Sequence, residues 1–241
     1  MILDAAGAAL RRLFSPEFRS VLWKSIGLTI LVLIGLWFGL QEIFNLFAMP
    51  WLEQWMPGLP NWAAWLGTAT AIAAGLGLAV GLALLIGPVT ALIAGLFLDD
   101  VAEIIERKDY PGDRSGKALP LMRSLVLSAK FLGVVILGNI FALLLLLIPG
   151  VNLVAFFAVN GYLLGREYFE FAAMRFRPEA EARELRSRNA GTVFLAGMLI
   201  AAFLAVPILN LLTPLFAAAM MVHLHKAIAR SEAVAMARQT R

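Results

Sequence analysis

The 241-residue chain contains no cysteine, which excludes disulfides and thiolate metal sites. It is also poor in charge: 15% of its residues are Asp, Glu, Lys or Arg, against about 25% in an ordinary soluble domain. Lysine and arginine are missing altogether from residues 25–106, 131–165 and 189–225. The chain lacks a G-x-x-x-x-G-K-[ST] loop and a G-x-G-x-x-G turn after a strand pattern, so ATP-driven chemistry by this chain alone is not expected. There is no H-E-x-x-H or comparable ligand set. His223 and His225 stand two apart, roughly 200° around a helix, and cannot share a metal; they read as interfacial polar ends. No nucleophile, base and orienting group occur together in the apolar blocks. No enzyme, no cofactor and no metal are therefore expected. The net charge of +4 gathers in no compact basic domain, which argues against nucleic acid as a partner. MILDAAGAALRRLF lacks a cleavage site followed by a soluble domain, so a signal peptide is not expected.

What remains is apolar. Hydrophobic residues make up 61% of the chain and mean hydropathy is +0.84, the composition of an all-α integral membrane protein. Basic residues confined between apolar blocks have the spacing of membrane loops, and they mark the cytoplasmic side. On that rule the protein is a multi-pass membrane protein with both termini in the cytoplasm. A single membrane domain, 1–241, is expected. Residues 1–24 form an interfacial amphipathic segment, with Leu3, Leu10, Leu13 and Phe14 apolar and Arg11, Arg12, Arg19 and Lys24 beside the bilayer. Residues 25–40 and 63–98 are transmembrane helices. Between them, residues 41–62 hold three tryptophans and no basic residue, which places this loop outside the cytoplasm. Gly35-x-x-x-Gly39 and the series Ala73/Gly77/Gly81 and Gly87/Ala91/Gly95 are expected close-packing faces, and Pro88 is expected to kink its helix. Asp99, Asp100 and Glu103 read as a solvated helix end; if they line a pathway, they gate it or pair with Arg107.

The longest charge-free stretch, Phe131–Gly165, is interrupted at Pro149-Gly150-Val151-Asn152. Its first arm reaches ~27 Å and its second, from Asn152, only ~21 Å, short of the ~30 Å hydrocarbon core. Both flanks are basic, so both ends are cytoplasmic and the stretch is a helical hairpin, re-entrant or spanning. Residues 190–224 repeat it, Pro207 matching Pro149 and Asn210 matching Asn152. In each, proline stops the first arm and asparagine can cap the second by accepting a backbone N–H, which lipid makes more valuable because no water is there to take its place. A polar helical connector, 166–189, joins the hairpins. Paired proline-interrupted segments also point to substrate sites in transporters.

Ile148-Pro149-Gly150-Val151-Asn152, then Gly161-Tyr162-Leu163-Leu164-Gly165-Arg166-Glu167-Tyr168-Phe169-Glu170-Phe171, then a basic connector, then Val206-Pro207-Ile208-Leu209-Asn210-Leu211-Leu212-x-Pro214 resemble the CysZ-like family of sulfate transporters. The chain is similar also to the related etoposide-induced membrane proteins of eukaryotes, over about residues 10–228. The resemblance implies two long transmembrane helices, two partly penetrating hairpins and a homo-oligomer. It also implies uptake of sulfate or a similar oxyanion for assimilation into cysteine. Family members typed as sulfate permeases carry two arginines after a Pro-x-x at the first membrane helix, where sulfate binds. Here Pro16-Glu17-Phe18-Arg19-Ser20 keeps the first and has serine at the second.

Two groups of residues carry the functional expectation. The Ser15–Ser20 helix start, with Glu17, Phe18, Arg19 and Ser20, suits an oxyanion because free N–H groups, the positive end of the dipole and Arg19 meet there. The plainer reading is that Arg19 and Lys24 anchor the helix to phospholipid phosphates of the lipid bilayer. Arg166, Glu167, Tyr168 and Glu170 form a pathway mouth or an interfacial network, with Arg166 and Glu170 one turn apart and able to pair. A second function is also consistent with the hairpins: a non-transporting membrane scaffold or membrane-shaping protein whose wedges insert into one leaflet.

Overall fold

The structure, a computed structural model, describes residues 1–48, 50, 54, 64–120, 122, 126, 129, 133, 151–206, 209 and 212–239. The first arm of the first hairpin and the turn residues Pro149, Pro207 and Asn210 lie outside them. So does the side chain of Asn152, whose backbone stands in the first turn of a helix. Among the described residues every regular element is helical: α1 (Ile2–Leu13), α2 (Pro16–Ile43), α3 (Ala64–Leu96), α4 (Leu98–Asp109), α5 (Val151–Met174), α6 (Glu179–Arg188), α7 (Ala190–Leu204) and α8 (Thr213–Gln239).

Contacts divide the chain into two compact units, one of Met1–Ser25 with Ala94–Arg241 and one of Ile26–Ile93. The second unit holds most of α2 and α3. Pro16–Phe47, which is α2 with the π-helical turn Phe44–Ala48, is the one single helix among the described residues long and apolar enough to cross a membrane. Its side chains turn outward: Leu31 is 66% exposed and Phe38 63%. A helix that shows its large apolar residues to the outside is covered by lipid or by another apolar surface. A Cβ added at Gly35, Gly39, Gly77 or Gly81 would meet nothing within 4 Å, so these small-residue faces pack against no described neighbour. α3 is 33 residues long, about 50 Å, and continues through Pro88.

The first unit is packed around α8. From Leu215 to Val222, and again at Leu224, the side chains of α8 are 0–2% exposed, because this stretch is apolar on all sides and is enclosed on all sides. α1, α4, α5 and α7 pack on it. α1 turns Ala5, Ala6, Ala9 and Leu13 inward, and Phe203 of α7 stacks on Phe216 at 4.3 Å. α5 and α7 cross at three glycines. The Cβ of a residue replacing Gly197 would fall 1.9 Å from the Gly161 carbonyl oxygen and 2.7 Å from the Gly165 backbone nitrogen. Only hydrogen fits between these backbones.

The helices reach further than the apolar blocks do. α5 runs to Met174, well past the expected end of its arm at Gly165, and α8 to Gln239, past Leu224. The charge-free count ends an arm at its first charged residue, whereas the helix continues because those charges find partners. Part of the expected connector is therefore the end of α5, followed by a turn and then α6. α6 and α7 meet at Asn189 with a bend of 90°. The Asn189 amide donates to the Leu185 and Arg186 carbonyls at 3.2 and 3.1 Å, and its side chain donates to Leu185 at 2.9 Å. The polar helix is closed there before the apolar one begins.

Candidate functional site: the start of the first long helix and the charged network around it

Chain direction breaks at Phe14 and Ser15. The Ser15 hydroxyl accepts from the Phe18 amide at 3.4 Å and its carbonyl accepts from Arg19 at 3.0 Å, with Pro16 as the first helical residue. This is the cap, proline and acid arrangement of a helix start. Phe18 is fully buried and pins the start into the first unit. Glu17 is drawn to Lys108 at the end of α4, 2.8 Å away. The Lys108 hydrogen bond, together with the Glu17 amide, holds this carboxyl below its ordinary range.

The amides expected to be free are thus engaged: proline has none, that of Glu17 serves its own carboxylate and that of Phe18 serves Ser15. What the helix start offers an anion is side chains. Arg19 and Ser20 are both exposed, and Arg19 has no ion pair among the described residues. The structure brings Glu17, Phe18, Arg19 and Ser20 onto the same first turns.

Behind this start lies a network that spacing did not reveal. Arg12 of α1 donates from Nε to both carboxylate oxygens of Asp109, at 3.0 and 3.1 Å, and adds a third contact through Nη2. Asp109 lies 3.6 Å from Nε2 of His223, whose Nδ1 is 2.8 Å from the Tyr110 hydroxyl. With the tyrosine donating to Nδ1, the proton of a neutral imidazole sits on Nε2, facing the carboxylate. Lys226 and Arg230 lie over the Tyr110 ring at 5.5 and 5.0 Å and reach Asp113 at 3.3 and 3.5 Å. His223 and His225 are therefore buried, at 5% and 2%, and not the interfacial ends expected of them. The apolar face of His225 explains its place: it stacks on Phe176 at 5.0 Å. Burial, helped by Arg177 and Lys226, pushes its pKa down to about 4.

A second constellation lies at the joint of α4, α5 and the loop after α4. Arg175, its side chain 3% exposed, donates from Nε to Glu106 at 2.8 Å and from Nη1 to Asp99. Asp99 thus pairs with Arg175, not with Arg107, and it is no solvated end; Asp100 and Glu103 are exposed. Burial raises the Asp99 carboxyl, and the guanidinium opposes that rise. The loop is drawn onto the same charges: the Gly116 amide donates to Glu106 at 2.8 Å, that of Leu119 to Asp99 at 3.3 Å, and that of Lys117 to the Arg175 carbonyl at 2.8 Å. A Cβ at Gly116 would stand 2.9 Å from both Arg175 and Glu106. Removing one member of such a buried set leaves a charge unpaired, at a cost of about 3–5 kcal/mol.

Arg166 and Glu170 lie 3.4 Å apart along α5, and Glu170 also meets Arg186 and Arg183 of α6 at 2.8 and 3.9 Å. Tyr168 is 7% exposed and part of the core. Glu167 lies beside Glu170; burial first, then that neighbouring charge, push its carboxyl up to about 7 against the pull of Arg166. Asn160 donates to the Phe156 carbonyl of its own helix at 2.9 Å. Among the described residues no three His, Asp or Glu side chains are grouped so as to hold a metal ion.

Comparison with curated proteins returns no match. The family model described as sulfate transporter CysZ/etoposide-induced protein 2.4 matches residues 5–214, a stretch that includes most of α1, the Ser15–Ser20 helix start, the triad around Arg175, the first apolar pair of arms and the first arm of the second pair. The chain belongs to the CysZ/etoposide-induced protein family, whose name is that of a sulfate transporter.

Proposed function

We propose that the protein carries sulfate or a similar oxyanion across the bacterial inner membrane, as a transporter or channel that supplies sulfate for assimilation. The family match over residues 5–214 is the observation that carries this reading. Arg19 and Ser20, exposed on the first turns of α2, supply a guanidinium and a hydroxyl with which to capture the anion. Lys108 neutralises Glu17, the one acid that would repel an anion there. The anion then crosses within a homo-oligomer. In this reading α7, ~22 Å long, turns back before the far surface, and both termini stay in the cytoplasm. Sulfate flux into proteoliposomes tests it. Uptake above empty vesicles that falls about tenfold or more in Arg19→Ala supports it, a loss of ~1.4 kcal/mol or more. Uptake no higher than in empty vesicles sinks it.

A second reading is a non-transporting scaffold that shapes the membrane. The 90° bend between charged α6 and apolar α7 favours it, since such a joint can lay one helix along the surface and sink the other into one leaflet. Vesicle remodelling by the purified protein, without flux, would select this alternative.

A further inference from the structure

Three arginines from two helices crowd one carboxylate. Glu170 has a side chain 10% exposed, whereas those of Arg166, Arg183 and Arg186 are 40%, 55% and 21% exposed. The carboxylate lies beneath and the guanidinium groups lie over it, with their outer edges open. The pairing is also unsaturated. Glu170 Oε1 and Arg186 Nε, though 2.8 Å apart, lack hydrogen-bond alignment, and each is buried without a hydrogen-bond partner among the described residues. A guanidinium offers five N–H donors in a fork that fits a tetrahedral oxyanion.

The remaining charges nearby leave a positive surplus. Glu179 engages one edge of Arg183 at 2.5 Å, and Arg188 is occupied by Glu184. Three arginines therefore face two carboxylates, Glu170 and Glu179. Glu167 adds less than a full negative charge at neutral pH, because its carboxyl is pushed up to about 7. Apolar surface leads up to the cluster. Tyr162, one turn before Arg166 on α5, is 48% exposed, Val154 is 68% exposed, and Leu195 on α7 is 56% exposed. An aromatic ring next to arginines, at the end of an apolar helix face, is the pattern of a headgroup boundary.

We propose that Arg166, Arg183 and Arg186 form a binding site for the phosphodiester of an anionic lipid headgroup, whose acyl chains lie along the Tyr162 side of α5. The position argues for a lipid over a free anion: the cluster stands where charge-free helix gives way to charged helix across the bend at Asn189. The site is separate from Arg19 and does not depend on transport.

The test uses the full-length protein in zwitterionic detergent, with added phosphatidylglycerol, phosphatidylcholine or inorganic phosphate. The readouts are thermal midpoint and the number of lipids retained in native mass spectrometry. Phosphatidylglycerol should raise the midpoint more than phosphatidylcholine does, and its retention should fall about fivefold for each arginine removed in Arg166→Gln and Arg183→Gln. Arg188→Gln removes the same charge from α6 outside the cluster and should retain lipid as the parent does. Equal loss in Arg188→Gln, or no preference of the parent for phosphatidylglycerol, overturns the proposal. So does inorganic phosphate alone reproducing the whole shift, since the occupant is then a free oxyanion. Should a glutamine variant not fold, Arg183→Lys keeps the charge and loses the fork; undiminished retention in it overturns the guanidinium geometry.

Discussion

Two glycine pairs with the same spacing meet opposite fates. Gly161-x-x-x-Gly165 on α5 lies against Gly197 of α7 so closely that backbone meets backbone, whereas Gly35-x-x-x-Gly39 on α2 faces open space. The unit around them differs in the same way. The first encloses α8 on all sides and ties its helices together with ion pairs. The second has outward-facing Ile30, Leu31, Ile34 and Phe38, and its sequence carries no basic residue. A small-xxx-small spacing is permission for close approach, not a cause of it. What decides is whether a third small residue stands opposite, and Gly197 supplies that to one pair.

Gly197→Val should have the largest effect. Its side chain would collide with the Gly161 carbonyl and the Gly165 amide, neither of which can swing aside, so the first unit should lose more than about 3 kcal/mol. Thermal unfolding in detergent reads this, and a midpoint within a degree or two of the parent would break the comparison.

Glu167→Gln should act in the opposite direction and more weakly. A carboxyl whose folded pKa of about 7 lies above its ordinary 4.5 binds its proton more tightly when folded. Its contribution to stability is therefore present at low pH and is lost as pH rises from about 4.5 through 7. The glutamine variant should be more stable than the parent at pH 8 by about 1 kcal/mol, and the gap should close at pH 4. A constant gap across that range would show that the carboxyl does not titrate as described. Gly39→Ala should be the mildest, within about 0.5 kcal/mol, or slightly stabilising through helix propensity. A marked loss of stability or of oligomer in size-exclusion chromatography would mean that this face, open within one chain, is filled by another.

How far the sequence could be read follows from the range of each interaction. Ser15-Pro16-Glu17 announces a helix start because the cap is local: Ser15 serves the amide three residues on. Arg166 and Glu170 are likewise one turn apart. Arg175 meets Glu106 and Asp99 from 69 and 76 positions away, and Arg12 meets Asp109 from 97; no periodicity carries such pairings. Helix ends escape an apolar count for a related reason. Such a count ends at Gly165 and Leu224, while α5 and α8 run on past those points, where Glu170, Lys226, Arg230 and Glu232 have partners. The glycine crossing was within reach, since Gly161 and Gly165 have the spacing noticed at Gly35 and Gly39. Only the identity of the opposing helix was hidden.

The loop from Tyr110 to Pro120 exposes Arg114 and Lys117, residues at which a trypsin-like protease cuts. Yet its backbone is held at the Arg114 carbonyl by Lys226, and at Gly116, Lys117 and Leu119 by the set around Arg175. A protease must draw several residues out into its cleft, and here four of them are bonded to Lys226, Glu106, Asp99 and the Arg175 backbone. Visibility and cleavability are therefore separate properties in this loop, and its lifetime in a digest is set by Arg175, a side chain the protease never touches.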